Sequence, residues 1–529
     1  MGESLIFDNC VFKSAISINY CKTDDFPIQD FREEREGIQF LSGEINRLDI
    51  IGNNISFGIL FKSTNRKPLI IKVLNFKDNV FTKAGITFRD VEFIKDIESK
   101  GDIIKNSGIS FNNCNSTGLI NIFSIKTPSL SFTGEKSVYK NDIKLWGGEV
   151  VRLIWYNGKF YGNIDISCVK NLESLSITET EFDAKFRFKR KDPQCQINNS
   201  ISPKKIWIQE VSFINGFMFS GDMSKSEELT MIFSEKSSGI IDFRKTYFKK
   251  VTLKGNNINS SVFLRDCSYC ELIFTKLYNR TLISLINNKP ESNDLTVKEL
   301  KIENSYLGNT EFYDFDFSIY PKVRIINSRL DTIFTYGVKW FSDEKLFVDE
   351  KENSHPKFLS QKREIYRQLK LASEKQSDRI TALKFKAREV QAHYNLLRIN
   401  KILSNNWFKY WGDIASINLG KTNDHGQNWI KPLILIIGIT LAFYPFLMIL
   451  SDPEITFGFN WTEEGWNLFC GKFVLHSHVI PQLFNPARRL LDLFGNTNSF
   501  VLQLLDALHR IFLTFFIFQI VSAFRKFVK

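Results

Sequence analysis

The feature that most constrains this chain is a degenerate eight-residue pattern: apolar, any, apolar, any, polar, any, any, apolar or aromatic. It recurs at residues 74–81 (LNFKDNVF), 86–93 (ITFRDVEF), 175–182 (LSITETEF), 206–213 (IWIQEVSF), 241–248 (IDFRKTYF), 300–307 (LKIENSYL) and 323–330 (VRIINSRL), with a shifted copy at 5–12 (LIFDNCVF). Partial copies start at Ile109, Leu130 and Val262. The alternation signals a half-buried strand. The polar fifth residue suits a turn, because Asp and Asn side chains bond their own backbone and tolerate the left-handed conformation. Taking the third position as a marker, the series Phe88, Phe111, Phe132, Ile177, Ile208, Phe243, Leu264, Ile302, Ile325 advances by 23, 21, 45, 31, 35, 21, 38 and 23 residues. A strand–turn–strand unit recurring every ~20–25 residues is the signature of stacked coils, none of which buries its apolar face alone. No helix-length apolar period interrupts the region. The expectation is a mostly β domain over 1–345, an irregular right-handed parallel β-helix, with a β-sandwich as the leading alternative.

A second constraint is the run 432–450 (PLILIIGITLAFYPFLMIL), which has no charged side chain. As a helix it reaches roughly 28 Å, close to the hydrocarbon thickness of a bilayer. Trp429 and Lys431 at its border suit an interface. Residues 500–527 read as a second helix, in which Gln503, Asp506, Arg510 and Thr514 recur at spacings of three and four. Ionisable residues inside a span face a bundle interior or a water-filled path, so these four are the candidate pore-lining set. Asp506 can pair with Arg510. The alternative is that 501–510 is an interfacial lead-in. Before the first span, 354–411 reads as a basic amphipathic connector, a long helix or a helical hairpin broken at Gln376-Ser377-Asp378. Residues 356–411 hold 13 Lys and Arg against 4 Asp and Glu, so this segment carries +9 of the net +12. It suits an oligomerising coiled coil, a surface lying on anionic lipid, or the wall of a vestibule. Basic residues before the first span, and Arg525, Lys526 and Lys529 after the second, mark both ends as cytoplasmic. The expected membrane unit is a hairpin over 429–529 with an external loop at 451–498.

The N-terminus carries no secretory signal, so the large domain is expected in the cytoplasm. Eight irregularly placed cysteines suit reduced thiols. Cys267 and Cys270 form one CxxC with no second pair, which reads as two small residues in a strand and turn rather than a zinc site. No motif for nucleophilic, metal or nucleotide chemistry occurs and no cofactor is implied. The chain is not expected to be an enzyme; a carbohydrate-active β-helix enzyme is the third reading. In KFRFKRK (185–191), Lys185, Arg187, Lys189 and Lys191 would share the outer face of a strand and Phe186 and Phe188 the inner one. With Arg190, Lys204, Lys205 and Trp207 they form a candidate surface for oligonucleotide phosphates. A second basic cluster is Arg244, Lys245, Lys249, Lys250 and Lys254. The competing reading of both is a solvated solenoid face.

Two helices cannot enclose a pore, but a ring of subunits can. The arrangement points to an oligomeric, ligand-gated membrane channel, with a membrane-anchored scaffold as the alternative. The domain order, KFRFKRK and the polar last helix (Gln503, Asp506, Arg510) resemble the channel partner of Hailong-type anti-phage defence systems. That resemblance implies a homo-oligomer (a tetramer) in the bacterial inner membrane. It further implies a single-stranded DNA oligomer as ligand, a companion nucleotidyltransferase that makes it, and depolarisation of the membrane on opening.

Overall fold

The structure is a computed structural model and describes residues 5–7, 10–19, 37–55, 58–64, 67–81, 85–189, 203–287, 299–348, 356–403, 408–425, 428–451, 462–494 and 499–525. The chain divides into two compact units, Met1–Lys351 and Glu352–Lys529.

The first unit is a parallel β-solenoid of about twelve turns over 38–347. The fifth residue of the eight-residue pattern is its corner. Asp78, Asp90, Asn113, Glu179, Glu210, Lys245, Asp266, Asn304 and Asn327 all have φ between 45° and 56°. This is the left-handed region, which Asn and Asp tolerate and most other side chains do not. Stacking continues through the corner: the N–H of Asp78 donates to the carbonyl of Lys100 at 2.9 Å and that of Glu210 to Ile232 at 3.0 Å. The first, third and eighth residues turn inward, as Leu175, Ile177 and Phe182 do.

Register stacks each inward residue on its equivalent in the next turn. Phe40, Phe61, Phe88, Phe111, Phe132, Trp155 and Ile177 are consecutive partners. Ile208, Met231, Leu253, Phe274, Ile302 and Ile325 continue the same column. Rings from Phe7 to Phe132 lie parallel, 4.7–5.0 Å apart, a spacing set by the strand separation. Each fully buried Phe contributes about 1.5–3 kcal/mol relative to exposure.

The expected marker series mixes two columns. Phe243 and Leu264 belong to a second one: Phe188, Phe219, Phe243, Leu264, Leu285, Phe312. The steps of 35 and 38 are therefore changes of column, and the step of 45 is two turns with Trp155 between them. Both corners of a turn use the same pattern because both impose the same backbone conformation.

A polar ladder runs inside this unit. Asn53 Nδ2 donates to Asn79 Oδ1 at 2.9 Å, Asn79 Nδ2 to Asp102 Oδ1 at 2.9 Å, and Ser99 Oγ to Asp102 Oδ2 at 2.7 Å. Cys267 and Cys270 are both buried. Burial pushes the Cys267 thiol up to about 12, far from the thiolate a metal requires. The expectation that all thiols are reduced is corrected at Cys168, which is disulfide-bonded.

The second unit is helical. Helices α1 (Pro356–Lys375) and α2 (Arg379–Leu403) form a hairpin. The break falls at 376–378, where Ser377 has φ 61°. Tyr366 stacks on Phe385 and Lys370 pairs with Glu389 at 2.8 Å. After α3 (Phe408–Lys421) come α4 (Ile430–Ser451), α5 (Glu463–Leu475) and α6 (Phe500–Phe524). Thr462 caps α5 by accepting from the N–H of Gly465, and Ser499 caps α6 by accepting from that of Leu502.

Candidate functional site: a buried ion-pair network between two apolar helices

Helices α4 and α6 are each long and apolar enough to cross a membrane. Only 28 % and 22 % of their most apolar windows is buried. A core helix of a soluble domain would hide most of that surface, so the exposure indicates membrane association. The two helices run antiparallel. Trp429 stacks on Phe524 at one end, Ile436 packs on Leu513 and Phe516, and Leu447 meets Leu502 toward the other.

The polar residues of α6 meet a third segment between these helices. Residues 476–489 follow α5 back along α4. Val479 and Leu483 pack with Tyr444, Leu447 and Met448, and Phe484 lies against the Ile436–Leu513–Phe516 cluster. The stretch expected as an external loop is therefore, in its described part, folded against the helix pair as deep as Ile436. Apolar residues at 479, 480, 483 and 484 drive this, because they have no other face to bury on.

This segment delivers Arg488. Its side chain and that of Asp506 are each only 4 % exposed. Asp506 accepts one guanidinium on each oxygen: Arg488 at 2.5 Å on Oδ1 and Arg510 at 2.5 Å on Oδ2. Arg488 also donates to the carbonyls of Leu483 at 2.8 Å and Asn485 at 3.2 Å, and to His509 Nδ1 at 2.9 Å. A guanidinium only donates, so Nδ1 accepts and the proton sits on Nε2. That nitrogen faces Thr440 Oγ1 at 3.3 Å. His509 is fully buried. The network holds two guanidiniums against one carboxylate, and Nε of both Arg488 and Arg510 is buried without an acceptor among the described residues.

Of the candidate pore-lining set, the structure joins Asp506 and Arg510 and turns them inward; Gln503 and Thr514 are exposed. Arg488, His509 and Thr440 were missed as partners. Arg488 lies 18 residues from Asp506, and only an apolar segment that folds back brings it there.

The candidate phosphate-contacting set divides. Phe186 and Phe188 are buried, Lys185 is exposed and Arg187 half-buried. That strand, Phe186–Lys189, pairs with Ile164–Ser167. Lys205–Gln209 instead pairs with Ser174–Thr178, in the other column. Lys204, Lys205 and Trp207 therefore do not extend the Lys185–Arg187 strand. The physical reason is that a solenoid places neighbours in sequence around its circumference and neighbours in space one turn apart. The side chain of Lys189, and Arg190 and Lys191 altogether, lie outside the described residues. Several cations are already engaged: Lys204 with Glu173 at 3.1 Å, Arg244 with Asp242 at 2.6 Å, and Lys254 over the Trp207 ring at 5.7 Å.

No protein-family model, no curated protein and no solved structure matches this chain.

Proposed function

We propose that the chain is one subunit of an oligomeric membrane channel, with the solenoid as its ligand-sensing domain. The observation that carries this reading is the Arg488–Asp506–Arg510 network, which lies between two lipid-exposed apolar helices, near Thr440 at the middle of α4. Charges at that depth are costly and mark a conduction path or a moving element. The segment 476–489 is then a re-entrant loop, tolerated at membrane depth because protein surrounds it. The proposed ligand is a single-stranded DNA oligomer held through Lys185 and Arg187. Loss or gain of that ligand shifts a closed–open equilibrium. On the resemblance of domain order alone, the setting is anti-phage defence at the bacterial inner membrane, with both ends of the chain cytoplasmic, four subunits and depolarisation as output.

One observation favours the scaffold reading. Asp506 and Arg510 are satisfied within a single subunit, so the network also serves as a staple for a plain anchor. Reconstitution separates the two. If the channel reading holds, liposomes carrying the full chain pass K⁺ or Cl⁻ in a manner that an oligonucleotide modulates, and Asp506→Asn changes the selectivity. Liposomes that stay tight with and without oligonucleotide favour the anchor. Binding of single-stranded DNA should weaken steeply with salt and fall on Lys185→Glu with Arg187→Glu; salt-insensitive binding removes that ligand.

A further inference from the structure

Two adjoining cavities open where α2 meets the beginning of α4 and the end of α6. One, of about 690 Å³, has Lys421 and Lys431 in its wall. The other, of about 290 Å³, is walled by Arg379, Lys386 and Arg525. His425 borders both. Against five cations stand two carboxylates, Asp424 and Glu374. Asp424 is engaged with Lys431 at 2.6 Å. His425 is held below its ordinary value by burial and by nearby Lys421. Lys421 lies over the Tyr394 ring at 3.6 Å and Arg379 has a partner of its own, so the positive charge left for an anion to meet is that of Lys386 and Arg525, neither of which has an ion pair among the described residues.

The surroundings say what kind. Trp429 stacks on Phe524 at 5.5 Å at this same end of the helix pair, the place an interfacial aromatic takes. The N-terminus of α4 is capped by Asn428, whose Oδ1 accepts from the N–H of Ile430 at 2.9 Å. Within a turn of Lys431 the α4 surface becomes apolar and open, with Ile434 61 % exposed and Leu441 49 %. A ligand that places a negative charge in the cavities and apolar chains on that surface satisfies both halves at once.

We infer that these paired cavities hold the phosphate of an anionic phospholipid, whose acyl chains lie along α4. The inference rests on α4 and α6 lying in a bilayer and not on ion conduction. Since α2, α4 and α6 all contribute walls, an occupied site ties the basic connector to the spans.

The test uses the full chain in neutral detergent, with thermal unfolding as the readout. Phosphatidylglycerol is compared with phosphatidylcholine and with inorganic phosphate at equal phosphate concentration. The expected result is a rise in unfolding temperature with phosphatidylglycerol only. Lys386→Gln with Arg525→Gln should abolish that rise and leave the temperature in phosphatidylcholine unchanged. If that pair fails to fold, Lys386→Gln alone should reduce the rise. Lys384→Gln, an exposed lysine of α2 outside both cavities, should keep it. Equal rises with both lipids would overturn the site. So would a rise with inorganic phosphate, which assigns the cavities to a free anion, or an equal loss in Lys384→Gln, which assigns the effect to diffuse surface charge.

Discussion

At the scale of single residues, the solenoid is governed by one backbone conformation. Nine corners that share the pattern adopt it, and most carry Asn or Asp, but Glu179, Glu210 and Lys245 do not. A long side chain in the left-handed region costs roughly 1 kcal/mol more than the residues that tolerate it. Glu210→Asn and Lys245→Asn should each therefore raise stability by about 1 kcal/mol, read as an upward shift in thermal unfolding. Gly239 is the opposite case. Its φ is +92°, and a Cβ there would stand 1.7 Å from the carbonyl oxygen of Phe213. Gly239→Ala should lose at least about 2 kcal/mol, because backbone rather than a pliable side chain must move. Asp102 supplies a pH dependence. Burial holds its carboxyl above the ordinary 3.8, in spite of hydrogen bonds from Ser99 and Asn79. The folded state thus binds that proton more tightly than the unfolded one. Its contribution is fully present below the unfolded value and is lost as pH rises through the folded one. Asp102→Asn keeps the bonds from Asn79, and should stabilise the solenoid near neutral pH and little at about pH 3.

At the scale of elements, the helix pair depends on Arg488. Arg488→Met leaves Asp506 with one partner, and Asp506→Asn leaves the buried Arg488 guanidinium and the partly exposed Arg510 without a counter-charge. Breaking a buried pair by one member costs about 3–5 kcal/mol. Both single variants should unfold at lower temperature in detergent, and Arg488→Met with Asp506→Asn should lose less than the sum of the two. This network marks a limit of what was legible in the sequence. The pairing of Asp506 with Arg510 follows from helical spacing, because the geometry is local. His509 is three residues from Asp506 on the same helix and lies within that rule, whereas Arg488 and Thr440 come from two other elements, and no spacing rule reaches across to them. The solenoid shows the same boundary. Strand, corner and inward face could be read at Leu175–Ile177–Glu179–Phe182, since each is a local preference of the chain. Which column Phe243 joined could not, because two corners of one turn ask for the same residues. The grouping of Lys185 with Lys204 failed for a related reason: closeness in sequence becomes separation around the circumference.

At the scale of the whole solenoid, the stack has no centre. Each turn bonds only the turn before and the turn after, so stability is close to a sum of nearest-neighbour terms. Removing one complete turn, residues 109–129, brings Leu130 and Phe132 onto Ile86 and Phe88, in the register that Ile109 and Phe111 hold now. The shortened chain should keep its β signal in circular dichroism and unfold in one transition, whereas removing 109–119 alone leaves an incomplete turn, breaks the register at that one junction and should lower the unfolding temperature well below that of the full-turn deletion. The neighbour-only bonding has a mechanical side. A force applied along the axis would not rupture this unit at once; it would peel one turn after another from the end, each freeing roughly 75 Å of chain. A single molecule held in an optical trap should yield as a regular staircase, paid out at nearly constant tension, and should rewind from the same end.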